Sequence, residues 1–297
     1  MSQIRLPKKI ALRVAVKSAP LYAELLKDLK SDGGRMPMGS RVSRIRQHIG
    51  NYVVLYDDEL RLGVALGMGL MGEEAFREFN EDTKKLDAEE QTCLLVEAVE
   101  SGFFEEMADS FKLPETEAEW QEAERIALAL STEERESLVR QASLLWGGIF
   151  GNLFNTLSLM VQGAKLTVLV RLALSGDMDA FLKAVQMDRC LITHHPYFIA
   201  RKQRAQELGQ TEFLRALAYR ESNPPLRGPI RYPGLFMLLG ILQSLNWLHE
   251  LKRNEILDLC DEAGLDRFEN RIEDVGYVTK RLGDFYRWQK TGGVSMH

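Results

Sequence analysis

The chain reads as all-α, a multi-helix bundle or irregular helical array with at most a minor strand near residues 52–56. Three observations predict this. Helix-capping signatures recur along the chain, apolar residues follow helical rather than alternating spacing, and no strand-like segments alternate with helices. With 45% apolar and 27% charged residues, the 297-residue chain has globular rather than disordered composition. Several segments pair like solenoid repeats, but none recurs at a fixed period, so no repeat is assigned.

Taken in order, Ser18 is expected to cap a helix through LYAELLKDLK that stops at Gly33-Gly34. A basic linker, Arg35 to Gly50, leads into a short helix, and YVVLY (Tyr52 to Tyr56) is the best strand candidate. Asp87-x-x-Glu90, Thr116-x-x-Glu119 and Ser131-x-x-Glu134 have capping-box spacing. In such a box the cap oxygen satisfies an orphan N–H while the glutamate reaches back.

Leu144 to Ala164, LLWGGIFGNLFNTLSLMVQGA, carries no charge at all. Its length suffices for a bilayer, which needs about 20 apolar residues. Asn152, Asn155, Thr156, Ser158 and Gln162 interrupt it, however, and lipid supplies no partner for a buried amide. A buried central helix is therefore expected, with Gly147, Gly148 or Gly151 closely packed on another helix.

Beyond it, Ser175-Gly176-Asp177 ends one helix and starts the next, and Pro196 opens a helix to Leu208 that stops at Gly209. Residues 222–234, SNPPLRGPIRYPG, form the one long irregular loop. Four prolines restrict its backbone, which makes Arg227 and Arg231 candidates for binding rather than stability. LFMLLGILQSLNWLHELK is expected as a second buried helix and Arg271 to Gln289 as an amphipathic one.

Charge divides the chain into three regions. Residues 1–50 hold eleven Lys/Arg against three acids (net +8), residues 51–140 hold eight against twenty-four (net −16), and residues 141–297 hold nineteen against sixteen (net +3). These are read as a basic N-terminal segment, an acidic helical region and an apolar-rich helical region ending in the amphipathic helix. Cys93, Cys190 and Cys260 are odd in number and far apart, which suits a reducing compartment. No secretory leader is evident near Met1, and the expected location is cytoplasmic.

Several motifs invite chemistry. Gly67-Met-Gly69-Leu-Met-Gly72 matches GxGxxG, but a dinucleotide site needs an enclosing βαβ unit, and Glu73 and Glu74 would repel a pyrophosphate. Leu94 to Leu113 has helix-turn-helix spacing, yet Glu105, Glu106 and Asp109 on its second helix oppose entry into a phosphate-walled groove. Asp188, Cys190, His194 and His195 lie close together without the spacing of a complete metal site, and the histidines are read as capping the Pro196 helix. No cofactor or metal is assigned. An enzyme with a site assembled from scattered carboxylates and arginines stays open.

The leading candidate surface is basic and aromatic. Arg41, Arg44 and Arg46 lie in the N-terminal segment, and Arg201, Lys202 and Arg204 on one helix. Arg227, Arg231 and Tyr232 belong to the proline-rich loop, and Arg281 and Arg287 to the last helix, beside Lys280, Tyr286 and Trp288. Arginines fit phosphate and aromatics stack on bases. The functional expectation is a non-enzymatic interaction or assembly protein acting through charged surfaces, with a protein partner or itself. Nucleic-acid binding is the second reading, and a membrane partner is not expected.

Overall fold

The computed structural model describes residues 6–30, 50–87, 90, 91, 93, 116–223, 232–265 and 275–290. Among them the chain is all-α: thirteen α-helices and one 3-10 helix, with no strand. Two compact units are formed, one by Arg44–Phe150 and one by Met1–Ser43 with Gly151–His297. They do not follow the compositional divisions at residues 50 and 140.

In Arg44–Phe150 the strand candidate is a 3-10 helix, Gly50–Asp57. Its buried residues Tyr52, Val53 and Tyr56 follow helical rather than alternating spacing, and no strand among the described residues could pair with it. Next come α2 (Glu59–Met71) and α3 (Glu73–Thr83), then α4 (Glu117–Ala129) and the start of α5 (Thr132–Gln162). Asp58 caps α2 by accepting from the Leu60 N–H. All three capping boxes form: Asp87 with Glu90, Thr116 with Glu119, and Ser131 with Glu134 each exchange bonds in both directions. Leu94 to Leu113, the helix-turn-helix candidate, lies outside the described residues.

Two glycines of Gly67-x-Gly69-x-x-Gly72 serve packing and the third a turn. Gly67 and Gly69 lie inside α2, not between a strand and a helix. A Cβ on Gly69 would stand 2.3 Å from the Leu145 nitrogen, and one on Gly148 would stand 3.0 Å from the Leu66 Cα. Gly69 meets Leu145 and Leu66 meets Gly148, so α2 and α5 cross antiparallel, each yielding a glycine to the other's backbone. A Cβ on Gly67 would strike the Phe76 ring of α3. Gly72 joins α2 to α3 at φ +83°, a conformation that side chains with a Cβ rarely adopt. On α5, Gly147 packs against Tyr52 and Leu55 of the 3-10 helix.

In the other unit, α1 (Lys8–Lys30) starts ten residues before the Ser18 cap expected from sequence and runs through Pro20. A proline inside a helix costs about 3 kcal/mol. Burial of Ile10, Ala11, Ala15, Val16, Ala19, Tyr22, Leu25 and Leu26 offsets that cost. α1 packs along α11 (Pro233–Ser244) and touches α12 (Arg253–Glu262). Lys8 pairs with Glu255 at 2.6 Å, Arg13 pairs with Glu262 at 2.7 Å, and the Trp247 indole donates to the Leu6 carbonyl at 3.0 Å.

The second expected buried helix is shorter than LFMLLGILQSLNWLHELK suggests. α11 ends at Ser244 because Asn246 takes φ +60° and the Trp247 N–H turns back to the Leu242 carbonyl. Gly240 brings α11 onto Thr156 and Met160 of α5. α13 (Val275–Lys290) adds Phe285 and Trp288 around Phe236, with ring centroids 5.4 and 5.6 Å apart.

α6 (Leu166–Leu174) and α7 (Met178–Met187) form a hairpin through Ser175-Gly176-Asp177, with Asp177 accepting from the Asp179 and Ala180 N–H groups. The short α8 (Leu191–His194) leads to α9 (Pro196–Glu207) and α10 (Thr211–Ser222). Their connection repeats the first turn: Asp177 N–H bonds to the Leu172 carbonyl, and Gln210 N–H to the Ala205 carbonyl. α7 and α10 lie parallel. Phe181 meets Phe213 where they begin, and Gln186 meets Arg220 and Asn223 where they end.

One described helix, α5, is long and apolar enough to cross a membrane, and 72% of its apolar window is buried within the fold. Three of its polar side chains hydrogen-bond within the fold, although the buried Asn155 Nδ2 has no partner among the described residues. Asn155 accepts from the Thr167 N–H at 2.9 Å, Ser158 donates to the Ala164 carbonyl, and Gln162 donates to Gln186.

Candidate interaction surfaces

Of the candidate residues named from sequence, Arg41, Arg44, Arg46, Arg227 and Arg231 lie outside the described residues. The other six fall into two groups, both in the unit Met1–Ser43 with Gly151–His297.

The first group belongs to the α9–α10 hairpin. Arg201 lays its guanidinium 4.4 Å above the Phe213 ring and donates to Gln210 at 2.8 Å. Lys202 is half-buried and pairs with Glu221 at 3.1 Å. A helix with aromatic and acidic residues on its neighbour draws its cations inward, because stacking and pairing both favour a partly dry site. Arg204 stays exposed. Around Glu221 the structure adds residues that the sequence reading missed. Arg189 donates to the Glu221 carbonyl, Arg220 donates to Gln186, and Gln186 donates to the Asn223 carbonyl. Only the turn-like SN at the end of α10 hinted at such a junction.

The second group joins the end of the proline-rich loop to α13. Arg281 sits between two tyrosine rings, 4.2 Å from the Tyr232 centroid and 4.7 Å from that of Tyr277, and pairs with Asp284 at 2.6 Å. Its side chain is only 12% exposed. Asp284 also draws Arg287, exposed, to 3.6 Å. Tyr232 and Arg281 are thus brought together as the sequence reading grouped them, but in a clamp within the fold, which leaves the buried Arg281 Nε without a hydrogen-bond partner among the described residues. Asp284, four residues short of Trp288 on the same helix, was not singled out. Arg204 is exposed, and Arg287 is exposed apart from its pair with Asp284.

His195 stands at the N-cap position of α9, but its side chain makes no cap bond there. Its buried ring instead packs edge-on against Phe198 at 5.1 Å, and His194 Nδ1 lies 2.7 Å from the Thr193 hydroxyl. Asp188, buried, accepts from the Cys190 N–H. Among the described residues no three His, Cys, Asp or Glu side chains stand close enough to share a metal ion.

The two units differ sharply in charge. Arg44–Phe150 contains ten Lys/Arg and twenty-four Asp/Glu, a net of −14; the rest of the chain contains twenty-eight against nineteen, a net of +9. Within the acidic unit, Glu122 and Glu134 titrate below the ordinary glutamate range because Arg125 and Ser131, respectively, donate to them. Comparison of the chain with protein-family models, curated proteins and solved structures finds no match.

Proposed function

We propose that this chain is a non-enzymatic interaction or assembly protein, soluble and cytoplasmic, that acts through charged surfaces. One observation carries the reading: opposite net charges, −14 and +9, are segregated onto two compact folded units. Charge concentrated on a folded surface steers association and selects partners of opposite sign. Burial of most of the apolar window of α5 supports a soluble protein. The test is protein purified from its host at low salt, followed by size exclusion with light scattering and an absorbance ratio. A complex that dissolves as salt rises supports the reading, and a partner-free monomer at low salt refutes it.

The second reading is nucleic-acid binding, favoured by the +9 unit and its exposed Arg204 and Arg287. It predicts a nucleic-acid absorbance in the same fraction. Each phosphate contact on duplex DNA adds about 0.9 to the slope of log affinity against log salt.

A further inference from the structure

We propose that a single water molecule, held in the interior between α5 and the start of α6, bridges the Asn155 carboxamide and the Thr167 hydroxyl and is part of the folded structure.

Asn155 lies in the second half of α5 and Thr167 is the second residue of α6, and they are only 2% and 5% exposed. The N-terminus of α6 receives no cap from the Lys165 side chain. Instead the Thr167 N–H donates to Asn155 Oδ1 at 2.9 Å. That bond fixes the carboxamide, because turning it over would set two donors against each other. Nδ2 must then donate elsewhere, and it has no partner among the described residues. Neither has Thr167 Oγ1, which is buried as well. A threonine deeper in a helix gives its hydroxyl to a carbonyl one turn back, but at the second position no turn of α6 precedes it.

The two atoms lie on either side of one hydrogen bond, since Nδ2 shares a carbon with Oδ1 and Oγ1 belongs to the residue whose N–H donates. One small molecule can therefore touch both, and a water with bonds of about 2.9 Å on each side spans up to about 6 Å. The chemistry selects a neutral ligand that accepts from Nδ2 and donates to, or accepts from, Oγ1. A charged one would be stranded, because the described buried residues of α5 and α6 include no charged side chain. Ser158, wholly buried one turn along α5, donates to the Ala164 carbonyl at 2.7 Å and keeps its own lone pairs for a third bond. A buried water typically makes about three. Asn155, Ser158 and the water together tie α5 to the chain that opens α6.

The experiment uses the purified full chain. A high-resolution crystal structure should show one water peak at hydrogen-bonding distance from both Asn155 Nδ2 and Thr167 Oγ1. Thr167→Val keeps the branched shape and removes the hydroxyl. It should lose the peak and melt about 2–4 °C below wild type, because Nδ2 and the water are left short of a partner. A hydroxyl bonded to nothing would give the opposite sign, since valine would relieve a buried polar atom. Thr167→Ser retains the hydroxyl and should retain the peak, which decides the matter if the valine variant does not fold. The inference is overturned by a wild-type structure with no peak there, by Nδ2 bonded directly to Oγ1, or by a solute larger than water at the site. A folded Thr167→Val variant that melts no lower than wild type overturns it as well.

Discussion

Two glycines of α2 should respond to alanine with opposite signs. Gly63 has no atom within 4 Å of where its Cβ would be, so Gly63→Ala brings only the helical preference of alanine, a gain of roughly 0.5–1 kcal/mol. Gly69→Ala brings the same preference but places a methyl group 2.3 Å from the Leu145 nitrogen and 2.4 Å from its Cα. Carbon atoms pack best at about 3.5–4.0 Å, so the two helices must separate by more than about 1 Å. Overpacking costs about 1–3 kcal/mol when side chains can shift, and here the obstacle is backbone in the middle of a helix. The net loss for Gly69→Ala is about 2 kcal/mol, and the two variants should differ by about 3 kcal/mol. Urea unfolding followed by helical ellipticity and by the fluorescence of Trp120 and Trp146 measures this. Equal stability of the two variants would refute the close antiparallel crossing of α2 and α5.

Asn155→Ala should cost about 1–3 kcal/mol by calorimetry, because it leaves the buried Thr167 N–H without its acceptor. Arg281→Ala should cost about 1–3 kcal/mol, removing a partly desolvated cation between two rings, while Arg204→Ala should leave the melting temperature unchanged. Glu255 titrates below the ordinary glutamate range, first because Lys8 donates to it and then because the Lys252 N–H does. A depressed folded value gives stability that is complete above the unfolded value and lost as pH falls through the folded one. Glu255→Gln should therefore be less stable than wild type near neutral pH, with the difference closing below about pH 4 in a melting series.

Signals confined to a few residues were legible in the sequence. Three capping boxes, the Asp177 cap, the Pro196 start and the Gly209 stop all work locally, through bonds between residues two to five apart. Where the reading failed, distant packing decided the matter. Ser18 looks like a helix cap until α11 and α12, more than two hundred residues away, supply the apolar and acidic partners that extend α1 back to Lys8. YVVLY looks extended until Gly147 and Phe150 of α5 provide a surface for Tyr52. For the candidate surface the limit is similar. A count of arginines identifies cations but not which of them the fold consumes, and Arg201, Lys202 and Arg281 are consumed by Phe213, Glu221 and Asp284.

Charge segregation carries further than any single arginine because internal pairing leaves net charge unchanged. Lys202 with Glu221 or Arg281 with Asp284 removes one charge of each sign, so a unit at +9 remains at +9 however many of its pairs form. The compositional divisions at 50 and 140 showed the same contrast as +8, −16 and +3, with the cationic residues in two stretches. The same twenty-four of the chain's forty-three acids fall in residues 51–140 and in Arg44–Phe150, which adds only Arg44 and Arg46 to the charge count. Like charge at that density raises the free energy of the compact state of each unit through self-repulsion. Of the exposed glutamates of α4 and α5, Glu119 and Glu134 close capping boxes and Glu122 pairs with Arg125, so part of this charge is used locally.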